Sequence, residues 1–209
     1  MKKVLKITTL ILCLCLMACS ISGCGDTPEE EVVTNPEPSH TVVIKVKNYG
    51  DITLNLYADY APKTVENFVK LASEGFYDNT IFHRISKGFM IQGGGFSIDN
   101  PAEQKKTDSI PGEFKSNGFT QNKIKHTRGV ISMARTNEPN SASSQFFICD
   151  GEDMYLSHLN GEYAAFGVVT EGMDVVDAIA SCEVVENPSM MGEVSLPVEY
   201  PVIETVIVK

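Results

Sequence analysis

The sequence predicts a mainly β domain, a barrel or sandwich of short antiparallel strands with one or two helices packed against it. Three observations predict it. Residues 41–56 alternate apolar and polar positions around a turn, residues 62–75 carry a single helical stripe, and short apolar runs separated by turn residues follow to the C-terminus.

The elements follow in order. In "TVVIKVKN", Val42, Ile44 and Val46 share one face and Val43, Lys45 and Lys47 the other. "DITLNLY" repeats the pattern with Ile52, Leu54 and Leu56, and Asn48–Asp51 supplies the turn of a hairpin. In "APKTVENFVKLASEGFY", Pro62 suits a first helical position, Val65, Phe68, Val69 and Ala72 form the i, i+3, i+4, i+7 stripe, and Gly75 suits the stop. Strands are expected around 80–86, 89–93, 129–135, 145–150 and 164–170. A short helix is expected at "GMDVVDAIAS", and "YPVIETVIVK" reads as the closing strand. Closure into a barrel would leave no exposed sheet edges.

Ahead of this domain, "MKKVLKITTLILCLCLMACSISGCG" combines early lysines, a short apolar run and small residues before cysteine, the pattern of an export signal. "ISGC" and "LMAC" resemble the lipobox of bacterial lipoproteins. Cys24 is the favoured lipidation site, because Ser22 and Gly23 are small, with Cys19 as the alternative. The division is therefore residues 1–23 as signal peptide, 24–40 as lipidated cysteine and acidic proline-rich linker, and 41–209 as one folded domain. The protein is expected at the extracytoplasmic face of the cell membrane, held by its lipid. Loss of Lys2, Lys3 and Lys6 with the signal takes the net charge from −10 to −13, which argues against a nucleic-acid partner. Of six cysteines, only Cys149 and Cys182 fall in the domain; a bridge between them is left open, and Cys149 reads as a structural thiol.

The segment "IFHRISKGFMIQGGG" sets one cation amid apolar residues. Strand alternation would put Phe82 and Arg84 on one face and Ile81, His83 and Ile85 on the other; Gln145 and Phe147 would share a face opposite Phe146 and Ile148. The three glycines, Gly93–Gly95, are not a phosphate loop, since no Gly-Lys-Ser/Thr follows. The four histidines lack metal-ligand spacing, so neither metal nor cofactor is expected.

Several separated segments, in order, resemble the cyclophilin-type peptidyl-prolyl isomerases: "APKTVENFVKLASEGFYDNTIFHRI", "FHRISKGFMIQGGGF", "GVISMARTNEPNSASSQFFICD" and "HLNGEYAAFGVV". The resemblance implies a closed eight-stranded antiparallel barrel capped by two α-helices. It also implies acceleration of X–Pro isomerisation in exported proteins by a monomer whose partners are proline-containing polypeptides. A non-catalytic proline-peptide-binding or chaperone module is the alternative. Carried over by motif, the catalytic residues are Arg84, Gln92 and Phe147. The substrate-binding residues are Phe89, Met90, Ala134, Gln145, His158, Leu159 and Tyr163. His158 stands where eukaryotic members often have tryptophan, and Tyr163 where they have histidine. "DNPAEQKKTDSIPGEF" replaces a glycine-rich loop beside the subsite for residues preceding proline.

Overall fold

A computed structural model of the chain describes residues 37–209; the signal segment, Cys19, Cys24 and most of the linker lie outside the described residues. Strands β1 (His40–Val46) and β2 (Gly50–Leu56) form the expected hairpin, with Ile44 opposite Ile52. Val42, Ile44, Val46, Ile52, Leu54 and Leu56 all point into the core and are buried. Helix α1 (Pro62–Ser73) buries Val65, Phe68, Leu71 and Ala72 on the same core, and Gly75 follows it in the left-handed region. Phe68 meets Tyr77, Phe146 and Phe166 with ring centroids 5.1–5.6 Å apart. The residue before the helix, Ala61, offers no side-chain cap. The buried Glu113 carboxylate does so from a distant loop, accepting from the amides of Lys63 (2.9 Å) and Thr64 (2.8 Å) and from Thr64 Oγ1 (2.7 Å). A buried anion is compatible with this place because the helix N-terminus presents unpaired N–H groups and a positive dipole end.

The remaining strands are β3 (Thr80–Ser86), β4 (Met90–Ser97), β5 (Asn100–Gln104), β6 (Val130–Met133), β7 (Phe146–Cys149), β8 (Ala165–Glu171), β9 (Val184–Asn187), β10 (Glu193–Pro197) and β11 (Val202–Val208). A single helical turn, α2 (Asp153–Leu156), runs into a 3₁₀ turn at Ser157–Leu159; α3 (Met173–Ala180) packs Val175, Val176 and Ile179 on the barrel core. Neighbours run β3-β11-β1-β2-β8-β6-β7-β4, and β4 pairs back with β3, closing eight antiparallel strands. Strand β5 extends β4 outside the ring, and β9 with β10 makes a separate two-stranded ribbon; none of these three was expected. Cys149 is buried and Cys182 half-buried, and both are free thiols.

Alternation misplaces the β3 side chains. Phe82 pairs with Gly93 while Arg84 pairs with Gln92, so β3 spends two residues against one of β4 and His83 is the extra residue of a bulge. Phe82 and Ile85 consequently both face the core, Phe82 edge-on to Phe146 at 6.1 Å. Arg84 faces outward, with His83 beside it rather than on the opposite face. In β7 the expected alternation holds, with Phe146 and Ile148 in the barrel core and Phe147 in a second apolar cluster outside it.

Candidate active site

That second cluster is the floor of a pocket. Met90, at the start of β4, Phe147 on β7 and Leu159 in the 3₁₀ turn are each at most 5% exposed. Phe89, His158, Tyr163 and Ala134 form the walls, and Arg84 and Gln92 stand at one side, enclosing about 420 Å³. Tyr163 meets Phe147 edge-on at 5.8 Å, and His158 stacks on Phe89 at 5.8 Å. Every residue named from the sequence for this site lines it except Gln145, which sits next to it and accepts from Gln92 Nε2 at 2.9 Å. Two of the three glycines explain how β4 reaches this position. Gly94 has φ +79°, and a Cβ on Gly95 would lie 2.3 Å from Gln145 Cγ, so the glutamine packs flat on bare backbone.

Arg84 is held at three points. Its Nε and Nη2 donate to the two carboxylate oxygens of Glu193 on β10, each at 3.0 Å, and Nη1 donates to Gln92 Oε1 at 3.2 Å. The pair is mostly shielded, the Arg84 side chain being 20% and the Glu193 side chain 29% exposed. A guanidinium has five N–H donors. Among the described residues, the three bonds leave one hydrogen on Nη1 and one on Nη2 for a ligand. A second cation, Arg135, lies 4.6 Å above the Tyr163 ring and 5.0 Å from Phe114, with Nε donating to the Glu162 carbonyl at 3.0 Å.

Glu193, Arg135 and Met190, which also borders the pocket, escape sequence reasoning. Arg135 carried a weak signal, being next to Ala134 in "SMAR". Glu193 carried none, because 109 residues separate it from its partner.

Three titratable groups around the site are held in their neutral forms by burial. Burial pushes the His126 ring, stacked behind Phe147, down to about 4, and its Nε2 lies 3.0 Å from Ser132 Oγ. Burial, followed by the Arg84 charge, lowers His83 to about 4 as well. Both rings are therefore neutral at pH 7. Burial pushes the Cys149 thiol up to about 12, which removes it as a nucleophile. Among the described residues, no cluster of three or more His, Cys, Asp or Glu is placed to hold a metal ion. What the arrangement offers is a pocket with an apolar floor and a fixed cation at its edge.

The family model described as "Cyclophilin type peptidyl-prolyl cis-trans isomerase/CLD" matches residues 41–199. Peptidyl-prolyl cis-trans isomerase B of Escherichia coli strain K12 is 43% identical over 167 residues, covering 77% of this chain and 95% of that protein. Peptidyl-prolyl cis-trans isomerase cyp18 of Streptomyces antibioticus is 44% identical over 161 residues, covering 75% and 91%. Among solved structures, a Cryptosporidium parvum cyclophilin-type isomerase, crystallised in the presence of the dipeptide Ala-Pro, superposes with a TM-score of 0.64 at 31% identity. It covers 81% of this chain and 98% of its own. With an apolar pocket, an outward arginine, a closed eight-stranded barrel and relatives of this identity along most of its length, the chain belongs to the cyclophilin-type peptidyl-prolyl cis-trans isomerases.

Proposed function

We propose that this isomerase acts on X–Pro bonds of exported polypeptides at the outer face of the membrane, with the proline ring in the Phe147 pocket and Arg84 stabilising the twisted amide. The observation that carries the site assignment is Arg84 fixed by Glu193 and Gln92 at the side of a pocket floored by Met90, Phe147 and Leu159. Supporting the peptide side, a related structure was determined in the presence of Ala-Pro.

The chemistry needs little else. Rotation about the X–Pro bond costs ~18–20 kcal/mol because amide resonance is lost midway. As the bond twists, the proline nitrogen recovers its lone pair and the carbonyl loses part of its dipole. A guanidinium donating toward that nitrogen therefore interacts more strongly with the twisted state than with either planar one. Phe89, Met90, Phe147, Leu159 and Tyr163 hold the ring while the preceding residue swings. Gln92 and Gln145 offer amide groups to the peptide backbone. Bringing an uncatalysed time of roughly 10–100 s near a millisecond takes about 10⁴–10⁵-fold, ~5.5–7 kcal/mol. One hydrogen bond from a charged donor supplies ~1.5–3 kcal/mol, so the pocket and the glutamines contribute the rest.

Arg84→Ala is expected to lower kcat/KM at least tenfold in a protease-coupled proline isomerisation assay, with circular dichroism unchanged. Parent-like turnover by that variant would remove Arg84 from the mechanism. A parent chain without turnover would leave the proline-binding module as the better reading. The membrane location rests on the "ISGC" motif and an acidic linker without Lys or Arg. Mass spectrometry of the membrane fraction is expected to find acylated glyceryl-cysteine at residue 24. A soluble, unmodified mature chain, or modification at Cys19, would refute that assignment.

A further inference from the structure

Tyr163, one wall of the proline pocket, stands on a loop between the 3₁₀ turn at Ser157–Leu159 and strand β8. A side chain on a loop is held less firmly than one on a strand or helix, so its neighbours must fix it. Phe147 is one such neighbour, with the two rings edge-on at 5.8 Å. Arg135 is another. Its guanidinium lies 4.6 Å from the Tyr163 ring centroid and 5.0 Å from that of Phe114. Phe114 belongs to the barrel core, whereas Tyr163 packs on the second apolar cluster, so one cation bridges the two.

Arg135 is itself fixed. Nε donates to the Glu162 carbonyl at 3.0 Å and Nη1 to the Thr136 carbonyl at 2.8 Å, while Nη2 lies 3.9 Å from Glu162 Oε2. The same Glu162 carboxylate oxygen accepts from Ser116 Oγ at 2.9 Å, which ties in the turn after Phe114. The Arg135 side chain is only 13% exposed. A cation shielded in this way interacts with an aromatic face more strongly than one in open water does. A guanidinium suits the place, because it can lie flat on a ring while its edge donates to carbonyls.

We propose that Arg135 is a positioning residue of the isomerase, which holds the Tyr163 ring against Phe147 and so keeps that wall of the proline pocket in place. The proposal rests on the reading of the Phe147 pocket as the proline site. Its kinetic consequence differs from that of Arg84. The pocket wall touches the proline ring, which stays still while the preceding residue swings, so the contact is equal in the planar and twisted states. Losing it weakens both states alike, which raises KM and leaves kcat in place.

The test is a double-mutant cycle on the full chain, read by steady-state kinetics on one X–Pro peptide, with melting curves to establish folding. Arg135→Met keeps an unbranched apolar side chain and removes the cation. It is expected to raise KM about three- to tenfold, the size of one shielded cation–π contact, with kcat within about twofold of the parent. Arg135→Lys restores the charge without the plane and should fall between parent and methionine. Tyr163→Leu removes the ring through which the arginine acts, so adding Arg135→Met to it should change KM by less than about twofold. Tyr163→Phe keeps the ring face, and there Arg135→Met should retain its full effect. Losses that multiply in the Arg135→Met/Tyr163→Leu chain would show that Arg135 acts on the peptide directly, and would overturn the positioning role. A fall in kcat at unchanged KM, or a lysine variant no better than methionine, would overturn it as well. A parent that turns the peptide over, with KM unmoved by Arg135→Met, refutes the positioning role alone. A parent without turnover removes the proline reading, and the role of Arg135 with it.

Discussion

Replacing Glu193 with alanine separates two effects that the carboxylate has on Arg84. It orients the guanidinium through two bonds of 3.0 Å, and it places a negative charge against the cation that catalysis uses. Orientation has a ceiling. An arginine side chain carries about 2 kcal/mol of rotamer entropy, so freeing it completely would cost at most about 30-fold in rate. The Gln92 contact at 3.2 Å survives the change and keeps part of that order. Partial neutralisation works in the opposite direction. The charge developing on the proline nitrogen is fractional, however, and the guanidinium stands between it and the carboxylate, so orientation dominates. Glu193→Ala is therefore expected to lower kcat three- to thirtyfold while KM changes less than threefold. Glu193→Gln, which keeps one acceptor in place, should fall between parent and alanine. Steady-state kinetics on one X–Pro peptide, with melting curves to establish folding, decide the matter. A Glu193→Ala enzyme as fast as the parent or faster would show that the acid restrains Arg84 rather than preparing it.

The other predictions concern stability. Glu113→Ala removes the carboxylate that accepts three bonds at the start of α1 and should cost about 2–3 kcal/mol. At ~2–4 °C per kcal/mol for a domain of this size, the melting temperature should drop by about 4–12 °C with activity at 25 °C retained; an unchanged melting temperature would mean that water replaces the cap at no cost. His83 and His126, pushed by burial from 6.5 down to about 4, make the folded state reluctant to take up protons. The unfolded chain binds those protons as pH falls below about 6.5, so this contribution is complete above 6.5, is lost between 6.5 and 4, and is constant below that. It amounts to at most about 3 kcal/mol per ring. Urea midpoints should therefore be lower at pH 5 than at pH 7.5, and equal midpoints would show that the folded rings protonate normally.

How far the fold was legible depends on how local its causes are. The β1–β2 hairpin and α1 were readable because their patterning repeats within a few residues: Val42, Ile44 and Val46 on one strand face, Val65, Phe68 and Ala72 on one helix face. The pocket residues were readable through the resemblance of their motifs, since each motif carries its own side chains. Bulges and long-range partners were not. Nothing in "TIFHRIS" announces that His83 is the extra residue, because a bulge is a property of the pairing with β4 rather than of β3 alone. The ribbon β9–β10 turns through residues 188–192, between Asn187 and Glu193, a stretch for which the sequence suggested no element. Its function-bearing residue, Glu193, has meaning only once the ribbon lies against Arg84.

The bulge also links stability to catalysis. Without an extra residue, strict alternation would keep Phe82 and Arg84 on the same side of β3. A phenylalanine filling the barrel would then bring a cation into the core, where an unpaired charge is costly. Turning the strand the other way would expose Phe82 and forfeit its packing on Phe146. Two consecutive β3 residues opposite one β4 residue satisfy both demands: Phe82 and Ile85 seal the core, and Arg84 reaches the groove to be met by Gln92 from the adjacent strand and Glu193 from the ribbon. The side chain left over is His83. It packs outside the barrel core, its ring buried against Phe96 with centroids 4.6 Å apart.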